Sequence, residues 1–282
     1  MPALARLVLL LGLVALVAAC GGTKETFEPL APDDPGPIHV HALGVNPADG
    51  ALFIATHTGL WRLGEGETEP RRVTDRRQDT MGFTVVSADR FLGSGHPDLR
   101  DELPPYLGLI ESRDAGRSWE QVSLLGEADF HVLRLAEGRV YGFDATNGRL
   151  MVSKDGGETW LERQVSAPLI DLVVDPTDPD RLFAATERGL LLSGDGGGTW
   201  RAQEGPPGLL AWPEPGRVYL VDVTGRVFTG AGPAGPWEAL GASGGPPAAF
   251  LAAGSELYAA LHDGPIVRST DGGASWAPLW TP

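Results

Sequence analysis

The sequence predicts an all-β protein, a six-bladed β-propeller with four-stranded antiparallel blades. Three observations predict it. First, the motif Ser-x-Asp-x-Gly-x-Ser/Thr-Trp occurs four times, at residues 112–119, 153–160, 193–200 and 269–276. Second, its aspartates, Asp114, Asp155, Asp195 and Asp271, are 41, 40 and 76 residues apart, and the last gap is close to twice the same period. A repeat of roughly 40 residues is the size of one four-stranded blade. Third, helical periodicity is nearly absent after residue 20, where short β-rich runs alternate with Gly, Pro, Asp and Asn.

Extending the period outward gives six units. The first, residues 38–78, has strand-like runs at 38–45, 51–56 and 59–63. The second, 79–127, is lengthened by an insertion, and the third and fourth are 128–167 and 168–207. The fifth, 208–246, has a degenerate motif at 229–237, one residue longer and without the Asp. The sixth is 247–282, with its outer strand expected from 275–280 or supplemented by 26–30. Six blades make one ring, so residues 38–282 read as one domain. The 39 Gly and 24 Pro suit its turns, and the 8 Trp suit packing between blades.

The motif has a local mechanism. Asp accepts hydrogen bonds from backbone N–H groups a few residues on, and Gly supplies the positive φ of a tight turn. Ser or Thr followed by Trp then begins a strand, with Trp as the apolar anchor between sheets. The four copies resemble the Asp-box, or BNR, repeat of sialidase-like propellers. That resemblance implies that the four aspartates are structural rather than catalytic.

The first 19 residues read as a signal peptide: Arg6 precedes an apolar run over 7–16, followed by Val17-Ala18-Ala19-Cys20. The end of this segment resembles the bacterial lipobox, which implies lipidation of Cys20, the single cysteine of the chain. Residues 20–37 then form a tether, and the protein is expected outside the cytoplasm, anchored to the cell membrane or the outer membrane. With one cysteine, disulfides play no part. The formal net charge of −15 argues against nucleic acid as a partner. Cations, neutral glycans and basic proteins remain compatible, and a monomer is expected.

All six histidines map to one face. In an up-and-down blade with strands A to D, the B–C turns and the D-to-A links share a face, and the motif turns lie on the other. His39 and His41 open strand A of blade one, and His57 lies in its B–C turn. His96 lies in the B–C connection of blade two, His131 begins strand A of blade three, and His262 sits in the B–C turn of blade six. Side chains alternate along a strand, so a His-x-His pair is expected to send both imidazoles to one side. His39, His41, His57, His96 and His131 are therefore candidate ligands for a transition metal, copper or zinc. Met81 is a possible further ligand, and Glu127 and Asp129 are possible ligands or orienting groups. The insertion after His96, residues 97–106, reads either as a lid or specificity loop or as a solvated charged loop.

Two other function classes stay open. The chain is similar to small bacterial exported lipoproteins catalogued as BNR-repeat glycosyl hydrolases. The similarity rests on His39-Val-His41, Ala55-Thr-His57, residues 77–83, Ser94-Gly-His-Pro97, residues 107–112 and residues 126–131. It implies hydrolysis, for which Asp79, Asp101, Glu127 and Asp129 are the candidate carboxylates. A sialidase is disfavoured: Tyr141, Tyr219 and Tyr258 fall in B strands, where packing is expected, and adjacent Arg76 and Arg77 point apart. The third class is a protein-binding assembly scaffold. A lipid-anchored propeller that helps assemble photosystems shares the boxes and the anchor, but has a basic patch that this acidic chain lacks.

Overall fold

The computed structural model describes residues 34–262 and 264–282. The signal peptide, Cys20, the first part of the tether and the alternative strand at 26–30 lie outside the described residues. Among the described residues every regular element is a strand. No helix there is long and apolar enough to cross a membrane.

Twenty-four strands form six four-stranded antiparallel sheets, each built from four consecutive strands. Blade one holds β1 (Val40–Val45), β2 (Leu52–Thr56), β3 (Gly59–Leu63) and β4 (Arg71–Arg72). Blade two holds β5 (Asp79–Val85), β6 (Phe91–His96), β7 (Leu109–Ser112) and β8 (Glu120–Ser123). Blade three holds β9 (Phe130–Ala136), β10 (Arg139–Asp144), β11 (Arg149–Ser153) and β12 (Leu161–Arg163). Blade four holds β13 (Leu169–Asp175), β14 (Asp178–Thr186), β15 (Gly189–Ser193) and β16 (Arg201–Gln203). Blade five holds β17 (Gly208–Glu214), β18 (Arg217–Asp222), β19 (Arg226–Gly230) and β20 (Glu238–Ala242). Blade six holds β21 (Pro247–Ala253), β22 (Glu256–Leu261), β23 (Ile266–Ser269) and β24 (Ala277–Trp280). The six-bladed propeller and its blade boundaries are as the repeat implies.

The core lies between blades rather than within them. Each of six apolar clusters joins two neighbouring blades. A sheet packed on both faces needs apolar side chains at successive positions, and β2, Leu-Phe-Ile-Ala-Thr, is buried throughout. Ring closure uses the same device. Leu43, Ile54 and Trp61 of blade one pack with Tyr258, Ile266 and Trp280 of blade six.

The four motifs form the same turn, each between the third and fourth strand of its blade. In blade three, Ser153 Oγ donates to Asp155 Oδ1 at 2.7 Å and accepts from the Gly157 N–H at 2.7 Å. Thr159 N–H donates to Asp155 Oδ1 at 2.9 Å, and the Thr159 hydroxyl donates to Oδ2. Trp160 then reaches back to blade two, its indole N–H donating to Ser123 Oγ at 2.9 Å. These hydrogen bonds hold the motif carboxyls low. Asp195 sits at about 2 through the N–H and hydroxyl of Thr199, and Asp271 at about 2 through the hydroxyl and N–H of Ser275. Each motif carboxylate is occupied as a turn acceptor on the face opposite the histidines.

Residues 34–37, placed by sequence at the end of the tether, are held against blade one. Arg72 donates to both oxygens of Asp34 at 2.7 Å, and Thr58 Oγ1 donates to the Gly36 carbonyl at 2.7 Å. This segment therefore braces the β2–β3 turn that carries His57.

Candidate metal centre

The face opposite the motif turns gathers two carboxylates, each between two imidazoles. The first is Asp79, the opening residue of β5. His41, second residue of β1, places Nε2 at 3.1 Å from Asp79 Oδ1. His57, in the β2–β3 turn, places Nδ1 at 2.8 Å from Asp79 Oδ2. The Nε2–Oδ1 pair is close but not aligned as a hydrogen bond, and both atoms are buried without another partner. Among the described residues, His41, His57 and Asp79 form the group whose ligand atoms all lie within 4.8 Å of one another. Burial pushes the Asp79 carboxyl up, but the imidazoles of His41 and His57 outweigh it, so it lies below the ordinary carboxylate range.

His39 joins this group differently from the expected alternation. It precedes β1 with φ 51°, in the left-handed region, and a bulge follows between Val40 and Ala42. Period-two geometry therefore does not set its direction. Its ring lies edge-on to that of His57, with centroids 6.2 Å apart.

The second carboxylate is Asp129, immediately before β9. Its Oδ2 lies 2.9 Å from His131 Nε2 and 3.6 Å from His96 Nε2. The five histidines thus divide between two aspartates. His41 and His57 meet at Asp79 with His39 beside them, while His96 and His131 meet at Asp129. The signal for Asp79 in the sequence was its place at the head of strand A of blade two, next to the blade that carries three of the histidines. Its role as the shared partner of two imidazoles has no mark in the sequence, where Asp79 is a candidate carboxylate for hydrolysis.

The remaining candidates fall around these centres. Met81, His39, His41, His131 and His262 line the central channel, whose volume is about 840 Å³. Deeper in the ring that channel carries Arg134, which donates to the buried Asp171 at 2.7 Å. Glu127 is exposed, and its backbone carbonyl, rather than its carboxylate, takes the contact from Arg149. Asp101 pairs with Arg76. The insertion is fastened to the link between blades one and two. Asp98 accepts from the backbone N–H of Arg77 at 2.7 Å, and Arg100 bridges Asp98 and Asp75. Arg100 holds the Asp98 carboxyl far below its usual range. The insertion also positions His96, whose Nδ1 lies 2.8 Å from the Pro105 carbonyl. Tyr141, Tyr219 and Tyr258 are buried, as expected for packed strand residues.

No protein-family model matches the chain, and no curated protein matches it. Solved structures do. The chain is similar to a Niastella koreensis GH74 enzyme at 13% identity, TM-score 0.61, over 86% of this chain and 45% of that one. It is similar to the YCF48 structure bound to D1 peptide at 17% identity, TM-score 0.54, over 86% of this chain and 83% of that one. It is similar to a chain of the nidogen/laminin complex at 16% identity, TM-score 0.65, over 82% of this chain and 93% of that one. The chain spans less than half the length of the GH74 enzyme. At these identities the likeness establishes the propeller fold, a scaffold that carries unrelated functions.

Proposed function

We propose that this is an exported, lipid-anchored propeller that binds a divalent transition-metal ion, zinc or copper, through His41, His57 and Asp79, with His39 as a fourth arm. One observation carries the reading. His41 Nε2 and Asp79 Oδ1 are buried, 3.1 Å apart and without an aligned hydrogen bond, and His57 Nδ1 completes a three-donor group. Two imidazoles and a carboxylate are a donor set that suits zinc, and the nitrogen-rich set with His39 also suits copper(II). Two imidazoles on one ion at about 2.1 Å each place their ring centroids roughly 5–6 Å apart, and the His39 and His57 rings lie 6.2 Å apart. With His41, His57 and Asp79 holding the ion, exchange of His39 at the fourth position would let the ion bind a small ligand, a glycan or a side chain of a protein partner.

The hydrolase reading has less support. A general acid needs a carboxyl raised towards neutral pH, and Asp79 is shifted the other way. Asp101 is tied up by Arg76, and Asp129 accepts from His131.

The experiment is metal analysis of the purified protein after incubation with zinc or copper and removal of free ion. The wild type is expected to retain metal, and His41→Ala/His57→Ala to lose that equivalent. Equal retention by both proteins would reject the site. The anchor is a separate part of the reading and rests on Val17-Ala18-Ala19-Cys20. Cys20→Ala is expected to fold but to leave the membrane fraction, and a variant that still partitions like the wild type would reject lipidation.

A further inference from the structure

The second carboxylate is only partly satisfied by hydrogen bonds. Asp129 is 4% exposed, and its Oδ1 is buried without a hydrogen-bond partner. Its Oδ2 accepts from His131 Nε2 at 2.9 Å, while His96 Nε2 stands off at 3.6 Å, too far for a hydrogen bond. The tautomer of His96 follows from its other nitrogen. Nδ1 lies 2.8 Å from the Pro105 carbonyl, which only accepts, so Nδ1 carries a proton. With Nδ1 protonated, a neutral imidazole would present its Nε2 lone pair 3.6 Å from the Asp129 carboxylate. Two lone pairs facing across such a gap repel unless a cation lies between them. An ion about 2.0–2.1 Å from an imidazole nitrogen and about 2.0–2.2 Å from a carboxylate oxygen sets those atoms roughly 3.3–3.5 Å apart at a tetrahedral angle. The observed gap is slightly wider than that. Donation of the other ring N–H to a backbone carbonyl is also how metal-bound histidines are usually oriented.

The construction repeats that of the neighbouring junction. His57 follows the second strand of blade one and meets Asp79 at the head of blade two. His96 ends the second strand of blade two and meets Asp129 at the head of blade three. Asp79 and His96 are directly paired in the β5–β6 ladder, so the two centres lie side by side.

We propose that His96 and Asp129 hold a second divalent cation of the zinc class, with His131 as a positioning residue that donates to the Asp129 carboxylate. This site rests on its own atoms and does not require the first to be filled. The test is calorimetric titration of the metal-free, full-length protein in detergent with zinc. The wild type is expected to bind two equivalents, the second more weakly because fewer protein donors hold it. Asp129→Asn and His96→Gln should each lose one equivalent and keep the other. His131→Ala should weaken that equivalent by about 10–100-fold, the usual effect of removing an outer-shell partner. Near-ultraviolet circular dichroism reports whether each variant keeps its tryptophan packing, and the partly exposed His96 serves as the variant if Asp129→Asn does not fold. If His96→Gln keeps every equivalent bound by the wild type, His96 is an imidazolium paired with Asp129 and the proposal is overturned. Asp79→Asn separates the two readings. Loss of nothing there, with one equivalent lost in His96→Gln, would reject the first site and leave the second standing.

Discussion

Replacing Gly95 by alanine tests how tightly the fold positions both carboxylate centres. Gly95 precedes His96 and pairs with Thr80, the residue after Asp79. Its φ is +132°, which side-chain-bearing residues rarely adopt, and an added Cβ would lie 2.1 Å from the Asp79 carbonyl oxygen and 2.8 Å from Met81 N. Real Cβ atoms stay at least 3.0 Å from such neighbours, so the head of β5 would have to retreat by about 0.9 Å. Backbone strain of about 1–3 kcal/mol and overpacking of about 1–3 kcal/mol give a combined loss of about 2–6 kcal/mol. With a urea m-value of about 2–3 kcal/mol/M, the unfolding midpoint falls by roughly 0.7–3 M. Tryptophan fluorescence follows that transition. The same shift displaces Asp79 relative to His41 and His57, so zinc affinity is expected to change in the fraction that remains folded. A Gly95→Ala protein with an unchanged midpoint and unchanged zinc affinity would refute the claim that β5 and β6 are locked together at the site.

Two further outcomes test the opposite face. Ser153→Ala strands the buried Gly157 N–H that its hydroxyl now satisfies at 2.7 Å, at a cost of about 1–3 kcal/mol. Calorimetry should show a Tm lower by roughly 2–4 °C per kcal/mol, and an unchanged Tm would mean that the turn does not hold the blade. On acidification, Asp195 and Asp271, held at about 2 when folded, contribute stability above the ordinary carboxylate value of about 3.9 and lose it as pH falls through the folded value. Circular dichroism should therefore show the steepest loss between about pH 4 and 2, and a main loss near neutrality would contradict this account.

The fold was legible because its unit is local. Each motif closes its turn with its own Ser, Asp, Gly and Thr or Ser, so one eight-residue pattern fixes where a third strand ends and a fourth begins. The blade boundaries followed from the period, and placing the histidines on one face followed from the strand order. Which histidine meets which aspartate was not legible. That depends on how neighbouring blades abut: His57 and Asp79 belong to different blades and are 22 residues apart. Alternation also misled at His39, because a left-handed residue and a bulge precede the regular part of β1. Glu127 looked equivalent to Asp129 by position, yet Asp129 turns into the blade junction and Glu127 turns out to solvent.

The most direct measurement is anomalous diffraction from zinc-soaked and copper-soaked crystals, collected at each metal's absorption edge. The account predicts a peak bounded by His41 Nε2, His57 Nδ1 and the Asp79 carboxylate, at about 2.0–2.2 Å from each, with the His39 ring turned towards it. Crystals that diffract well and show no anomalous peak between these residues, with Asp79 still paired directly to both imidazoles, would contradict it.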